Sequence, residues 1–327
     1  MKAISFAAPA PDAATTTLLD VSDPTPAPGE VLIAVDHAGV NFIDVMARRG
    51  DPGYAAGWPY RPGLEVAGLV VATGSPDSPF RMGDRVAAFT GGGGLAELAV
   101  ADEALVAAIP DDLDTARAAA APLMLSTAIL LLNGAARLQP GDTVLMHAAG
   151  GGVGSAVAQL ANVFGGGTLI GTVADAAKAG APLAAGWHHV LVRDEKLGHA
   201  IRELAPDGVD VVLDPLGTEM LAIDTAAAAP AARIVLFGNP GGSPLEALPH
   251  VGQLIRGNMS IGGFSISRLA EAAPQRVTAA LLEGLTLLAE GRVQLPLIEL
   301  GGLGAVPDAH QALAEGRSAG KYVVRVE

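Results

Sequence analysis

From about Asp114 onward, apolar runs alternate with amphipathic stretches. The runs "TVLMHA", "TLIGTV", "HVLV", "VDVVLDP", "RIVLFGN" and "SIGGFSI" are short and nearly continuous, and helical spacing falls between them at 153–164, 195–205 and 245–256. Strands that are apolar on both faces and alternate with helices predict a parallel sheet covered on both sides. The chain before Asp114 has a different pattern. "EVLIAVDHAGV", "EVAGLVVATG", "DRVAAF", "LAELAV" and "ALVAAIP" are β-like runs set apart by Pro- and Gly-rich turns, as in a mixed β-rich domain. After Ile266 come a long helix ("PQRVTAALLEGLTLLAEG"), a strand near "LIEL", a helix ("VPDAHQALAEGRSAG") and a last strand ("KYVVRV"), which read as a return to the first domain. The expected organisation is α/β. A doubly wound parallel sheet over 126–265 is inserted in a discontinuous β-rich domain formed by 1–125 and 266–327. No internal repeat is present, and "GGGG" at 91–94 reads as a surface turn because no helix pattern follows it.

Composition narrows the class. A chain of 327 residues is long enough for two domains of roughly 100–200 residues each. Half of it is hydrophobic and 17% is charged, which fits a well-packed globular protein. It has no cysteine, so disulfides, thiolate metal sites and a cysteine nucleophile are excluded together. The N-terminal stretch "MKAISFAAPAPDAATTT" lacks the apolar core of a signal peptide. The longest near-apolar stretch, Ala118 to Leu132, is interrupted by Pro122, Ser126 and Thr127 and falls short of the ~20 residues of a membrane span. A cytoplasmic protein is expected. A net charge of −14 without a basic run argues against nucleic acid and anionic membranes as partners, but not against a small anionic ligand, which needs only a local positive field.

Candidate chemistry begins at "VLMHAAGGGVGSAVAQLANVFGG", Val144 to Gly166, where a strand pattern meets a helix pattern through bare backbone. With Gly154 as the last position of G-x-G-x-x-G, the motif reads Ala149-x-Gly151-x-x-Gly154. The middle glycine lets backbone approach a pyrophosphate, and the last lets helix pack on strand. The first requires only a small residue, which alanine supplies. The helix opening near Gly152 and Val153 aims free N–H groups and its positive dipole end at the phosphates. A ligand-free tight turn and a different ligand of the same fold, such as S-adenosylmethionine, are the competing readings. The second strand then bears on which dinucleotide is held. An NAD site ends that strand with an acid on the ribose hydroxyls. Here "TLIGTV" ends in Val173 and Ala174, while Lys178 and Arg193 follow nearby and could hold a 2′-phosphate. Asp175 also lies close, and it reads alternatively as a helix cap. Both cations are open to a second reading as solvated surface charges. The missing acid favours NADPH.

A set of segments then points to a family: "GVNFIDVMARRG" (39–50), "RPGLEVAGLV" (61–70), "GDRVAA" (83–88), "AAAAPLMLSTA" (118–128), "HAAGGGVGSAVAQLA" (147–161), "VLFGN" (235–239) and "EGRSAGKYVVRV" (315–326). Nearly the whole chain resembles the zinc-independent quinone oxidoreductases, the zeta-crystallin-like branch of the medium-chain dehydrogenase/reductase superfamily. The resemblance implies a Rossmann domain inserted in a GroES-like domain. It also implies reduction of a quinone-like conjugated acceptor by NADPH without metal, and a homodimer in which "MSIGGFSI" strands pair across a two-fold axis.

Residue roles carried over by the resemblance remain expectations. In the zinc alcohol dehydrogenases the family resembles, a cysteine ligand stands at Asn41 and a histidine ligand at Leu64, just before Glu65. Neither residue present can replace thiolate or imidazole at zinc. The seven histidines are scattered, and the pair His188–His189 reads as structural, as does Glu65. The resemblance places Asn41 by the nicotinamide and the acceptor, and Thr127 by the nicotinamide ribose and its phosphate. Gly238, Asn239 and Phe264 line the nicotinamide end, and Arg317 lies near the cofactor. Plainer readings stay open: Asn41 as a helix N-cap, Thr127 as a helix hydroxyl bonded to its own backbone, Phe264 as core. Met46 stands where many relatives carry a tyrosine proposed as proton donor. Reducing a carbon–carbon double bond benefits from a positioned acid, whereas a quinone takes its proton on oxygen and can draw it from water. Met46 therefore favours a quinone over an enone, with Asp44, Tyr54 and Tyr60 as other candidate donors. An enoyl or alkenal reductase, and a crystallin-like NADPH-binding protein with little turnover, are the alternatives.

Overall fold

The computed structural model describes residues 1–318 and 320–326. Ala319, inside the segment "EGRSAG", lies outside the described residues. The chain divides into two compact units, one of residues 1–126 with 266–327 and the other of residues 127–265.

The first unit opens with β1 (Lys2–Phe6) and β2 (Thr16–Asp20), an antiparallel pair. It continues with β3 (Glu30–Gly39), β4 (Glu65–Thr73), β5 (Arg85–Phe89), β6 (Leu98–Asp102) and β7 (Val106–Ala108). The second unit holds β8 (Val144–Met146), β9 (Leu169–Val173), β10 (His189–Val192), β11 (Val209–Asp214), β12 (Ala228–Leu236) and β13 (Ser260–Gly263). The chain then returns to the first unit with β14 (Leu297–Leu300) and β15 (Lys321–Arg325). The larger sheet of the first unit has the order β14-β15-β3-β4-β5-β7, with β6 also paired to β3. Its strands are antiparallel neighbours apart from β14 and β15. Alternating apolar residues such as Val31, Ile33, Val66, Val86 and Val324 bury one face of it.

The sheet of the second unit is wholly parallel, in the order β10-β9-β8-β11-β12-β13. The strand order reverses on either side of β8, the first strand of the unit. In such sheets the crevice at the carboxyl ends of the strands at this reversal is where ligands bind. The apolar runs form the strands because both faces are covered. On one face Leu197 and Ile201, four apart on the helix Leu197–Leu204, pack on Leu145, Ile170 and Val212.

Two expectations are corrected. The stretch 245–256 is helical only over Val251–Gly257, because Pro244 and Pro249 hold the preceding residues extended and His250 caps the helix by accepting from Gly252 N–H at 3.1 Å. The apolar stretch near 118–132 is not short: the helical run extends over Thr115–Ala135, which is long and apolar enough to cross a membrane. Its most apolar window is 83% buried inside the protein, as in a core helix.

Candidate cofactor-binding and active site

The turn between β8 and the helix Gly152–Val163 has the geometry of an anion cradle. Ser155 N–H bonds back to Gly151 O at 3.0 Å, while Gly152 and Val153 precede the ladder and no side chain caps them. The two key glycines do different work. A Cβ on Gly151 would meet only Ala148 O, at 3.6 Å, so this backbone faces open space. A Cβ on Gly154 would lie 2.3 Å from Ala149 O, so here glycine is required for the helix to seat on the turn. Ala149 is fully buried and donates its N–H to Thr172 O at 2.9 Å, which explains why a small residue suffices at the first position. Residues Ala149 to Gly154 thus form a tight turn whose uncapped N–H groups at the helix start are open to an anion.

At the end of β9, Val173 is buried and Ala174 is exposed, with no acid on the strand end. Asp175 takes the capping role, accepting from Ala177 N–H at 2.9 Å. Lys178 ends the short helical turn Ala176–Lys178 and is exposed. Arg193, just after β10, is half-buried instead, with Nη1 at 3.4 Å from Thr172 Oγ1 and 3.5 Å from Thr172 O. Burial pulls its pKa down, and Asp214 and Glu219 oppose the shift. The structure therefore offers one exposed cation and one half-buried cation on this flank.

In the first unit, Asn41 is the N-cap of the helix Phe42–Arg49, and Asp44 accepts its N–H at 2.9 Å. Its side chain does something else. Asn41 Nδ2 donates to Glu65 Oε1 at 2.9 Å and to Gly39 O at 3.3 Å, and Asn41 Oδ1 accepts from Lys321 Nζ at 2.5 Å. Lys321 also pairs with Glu65 and donates to Val40 O at 3.1 Å. Both amide hydrogens of Asn41 are engaged, and Oδ1 is taken by Lys321 and faces the Asp44 N–H of the capping box. Asn41 therefore has no spare amide hydrogen to donate to an acceptor's carbonyl in this arrangement. Glu65 is fully buried, and its second oxygen accepts from the N–H groups of Leu123 and Met124 at 2.8 and 3.3 Å. Those groups are free because the Thr115–Ala135 run changes to a wider π-type winding over Ala121–Leu125, with Pro122 at its start. Leu64 is buried and apolar.

Lys321 was missed by sequence reading; nothing beside it in "KYVVRV" marks it as a partner of Asn41. The other expected residues are dispersed. Thr127 is buried in the helix Ser126–Ile129 and opens the second unit. Gly238 follows β12, and a Cβ there would meet Pro215 O at 2.6 Å. Asn239 Nδ2 is used on Ser243 O at 2.9 Å. Phe264, after β13, is half-buried and donates its N–H to Leu236 O at 2.9 Å. Arg317 is exposed in the first unit and paired with Glu315. Among the candidate proton donors, both oxygens of Asp44 accept backbone N–H groups, from Asn41 and from Gly63 at 3.0 Å. Burial, with a contribution from Asp44, pushes Tyr60 up to about 12, so its phenol is a weak acid near neutrality. Met46 is buried.

Comparison with known proteins adds the family. The alcohol dehydrogenase GroES-like domain family matches residues 27–111, and the family described as zinc-binding dehydrogenase matches residues 152–283. The chain is 34% identical over 269 residues to a quinone oxidoreductase of Sus scrofa, a match covering 81% of this chain and 80% of that protein. It belongs to the medium-chain dehydrogenase/reductase superfamily. Within that superfamily it is quinone oxidoreductase-like, with a GroES-like first unit and a Rossmann-type second unit. A mycobacterial protein solved in complex with NADPH is similar at a TM-score of 0.90 and 29% identity, covering 99% of each chain. The Escherichia coli quinone oxidoreductase, also solved with NADPH, is similar at 0.89 and 26%, covering 99% of this chain and 100% of that one.

Proposed function

We propose that the protein is an NADPH-dependent reductase that passes hydride to a quinone-like conjugated acceptor without a metal ion. The observation that carries this is the open N–H cradle at Gly151–Val153 beside a strand end that lacks an acid. The quinone oxidoreductase relatives and the two NADPH complexes support it. NADPH, when bound, supplies the hydride. The chain's part is to seat the pyrophosphate on the cradle and to neutralise the 2′-phosphate with Lys178 and Arg193. Asn41 is held in one orientation by Glu65 and Lys321. Zinc independence rests on residue chemistry: no cysteine exists, Leu64 has no donor atom, and the ammonium of Lys321 already occupies Asn41 and Glu65. A quinone fits better than an enone because Met46 cannot donate a proton and both oxygens of Asp44 are taken by backbone N–H groups, whereas a quinone can draw its protons from water.

The test is an acceptor panel of quinones and enones run with NADPH and NADH. Quinones should be reduced faster than enones, and NADPH should bind more tightly than NADH. Truncating Lys178 and Arg193 together should remove most of that preference, since one charge-assisted contact is worth about 1.5–3 kcal/mol. Equal affinity for the two nucleotides, or turnover confined to enones, would contradict this function.

A homodimer goes with this function. β13 pairs with β12 on one side only and so ends its sheet. The segment before it exposes Leu245, Leu248, Val251 and Ile255. Edge-to-edge pairing of β13 with a second copy would cover both features. Light scattering should give twice the chain mass, and a monomer at micromolar concentration would contradict it.

A further inference from the structure

We infer that His147 is a positioning residue for the dinucleotide loop: clamped between Thr172 and Asp224, its ring holds the turn at Ala148 in the shape that presents the N–H groups of Gly152 and Val153. The inference rests on the reading of that loop as the NADPH seat.

His147 directly follows β8 and is fully buried. Its Nδ1 lies 2.9 Å from Thr172 Oγ1 on β9, and its Nε2 lies 2.8 Å from Asp224 Oδ1 on the helix Leu221–Ala227. Its backbone N–H donates to Leu213 O on β11 at 3.1 Å. One residue is thereby tied to three elements around the reversal of strand order. In one arrangement of hydrogens that satisfies the chain of contacts, Arg193 donates to Thr172 Oγ1, the Thr172 hydroxyl donates to Nδ1, and Nε2–H donates to Asp224.

The next residue explains what the clamp is for. Ala148 has φ +54°, a left-handed conformation that an alanine adopts only when its surroundings impose it. The turn is pinned on both sides, by the His147 ring before it and by Ala149 N–H on Thr172 O after it. Gly151 N–H closes it on Ala148 O at 3.2 Å, and the cradle begins at the following residue. Relaxation of Ala148 would swing the cradle's N–H groups off their common target.

A purely structural role would be served as well by apolar side chains. Here the core carries an imidazole and two carboxylates, Asp214 and Asp224, which face one another. Burial, followed by the charge of Asp224, pushes Asp214 up to about 6. The charged groups facing this network are Arg193, Asp214, Asp224 and, beyond Arg193, Glu219. Such a costly cluster beneath a binding loop is best explained by the geometry it enforces.

The test measures NADPH and NADH dissociation constants by nucleotide fluorescence on the intact protein, and kcat with a quinone. His147→Leu should weaken both nucleotides by the same factor, about tenfold or more, while kcat at saturating NADPH changes less than about twofold. His147→Gln, which retains a donor toward Asp224, should recover part of the loss. Equal weakening separates a loop defect from loss of the Arg193 contact, which would affect NADPH alone. A folded His147→Leu protein with unchanged nucleotide affinity overturns the inference. If that variant does not fold, the nearly isosteric Thr172→Val carries the test: weakening of NADH as well as NADPH supports the clamp, while unchanged affinity or a loss confined to NADPH, as expected from the Arg193 contact alone, overturns it. Failure of the unmodified protein to bind either nucleotide would instead refute the cofactor reading beneath it.

Discussion

Gly151→Val should leave the protein folded and raise the NADPH dissociation constant about a hundredfold or more, roughly 2.7 kcal/mol. The backbone at Gly151 has φ −80° and ψ 172°, an extended conformation that valine adopts readily. Its Cβ would make one ordinary contact, with Ala148 O at 3.6 Å. The fold therefore has room for a Cβ at this position, whereas a pyrophosphate drawn onto the N–H groups leaves none. Gly154→Val is the contrasting control. Its Cβ would sit 2.3 Å from Ala149 O and 2.8 Å from Ala149 Cα, so the helix cannot seat and the fold itself should fail. Circular dichroism and nucleotide fluorescence on the two variants separate the effects. Wild-type NADPH affinity in a folded Gly151→Val protein would mean that the cradle lies elsewhere.

The second large effect is expected at Lys321. Lys321→Met leaves the fully buried Glu65 carboxylate with three N–H donors, from Asn41, Leu123 and Met124, but no countercharge. Removing one partner of a buried pair costs about 3–5 kcal/mol. For a domain of this size that corresponds to a fall in melting temperature of roughly 6–20 °C. Turnover should fall as well, because Asn41 loses the contact that orients its amide. The double variant Glu65→Gln with Lys321→Met should be more stable than Lys321→Met alone, since a neutral amide can remain buried among the N–H donors. Lys321→Met melting within about 2 °C of the unmodified protein would show that the pair does not hold this site.

These two sites differ in how far the chain's own pattern revealed them. The cradle was legible because it is local. A strand, a run of small residues and a helix lie within 144–166, and each of Ala149, Gly151 and Gly154 has a steric reason that can be read one residue at a time. The parallel sheet was legible for the same reason, since a strand buried on both faces has to be apolar throughout. Asn41 and Glu65, by contrast, are separated by 24 positions, and Asn41 and Lys321 by 280. Their meeting depends on β3, β4 and β15 lying in one sheet, which no local pattern encodes. The donors on Leu123 and Met124 exist only because the helix changes its winding at Pro122. His147 lies within the motif segment, yet its partners Thr172 and Asp224 are 25 and 77 positions away. The helix expected from 245 failed where two prolines override an amphipathic pattern.

The most direct test of the central claim is a single-turnover experiment on chelator-treated protein. NADPH is bound in slight deficit, a quinone is added, and the decay of nucleotide fluorescence is followed. The account predicts a quinone-dependent loss of the NADPH signal, unaffected by the chelator, with one quinone reduced per nucleotide oxidised. A bound NADPH signal that persists in the presence of quinones, or a decay that requires restored zinc, would contradict it.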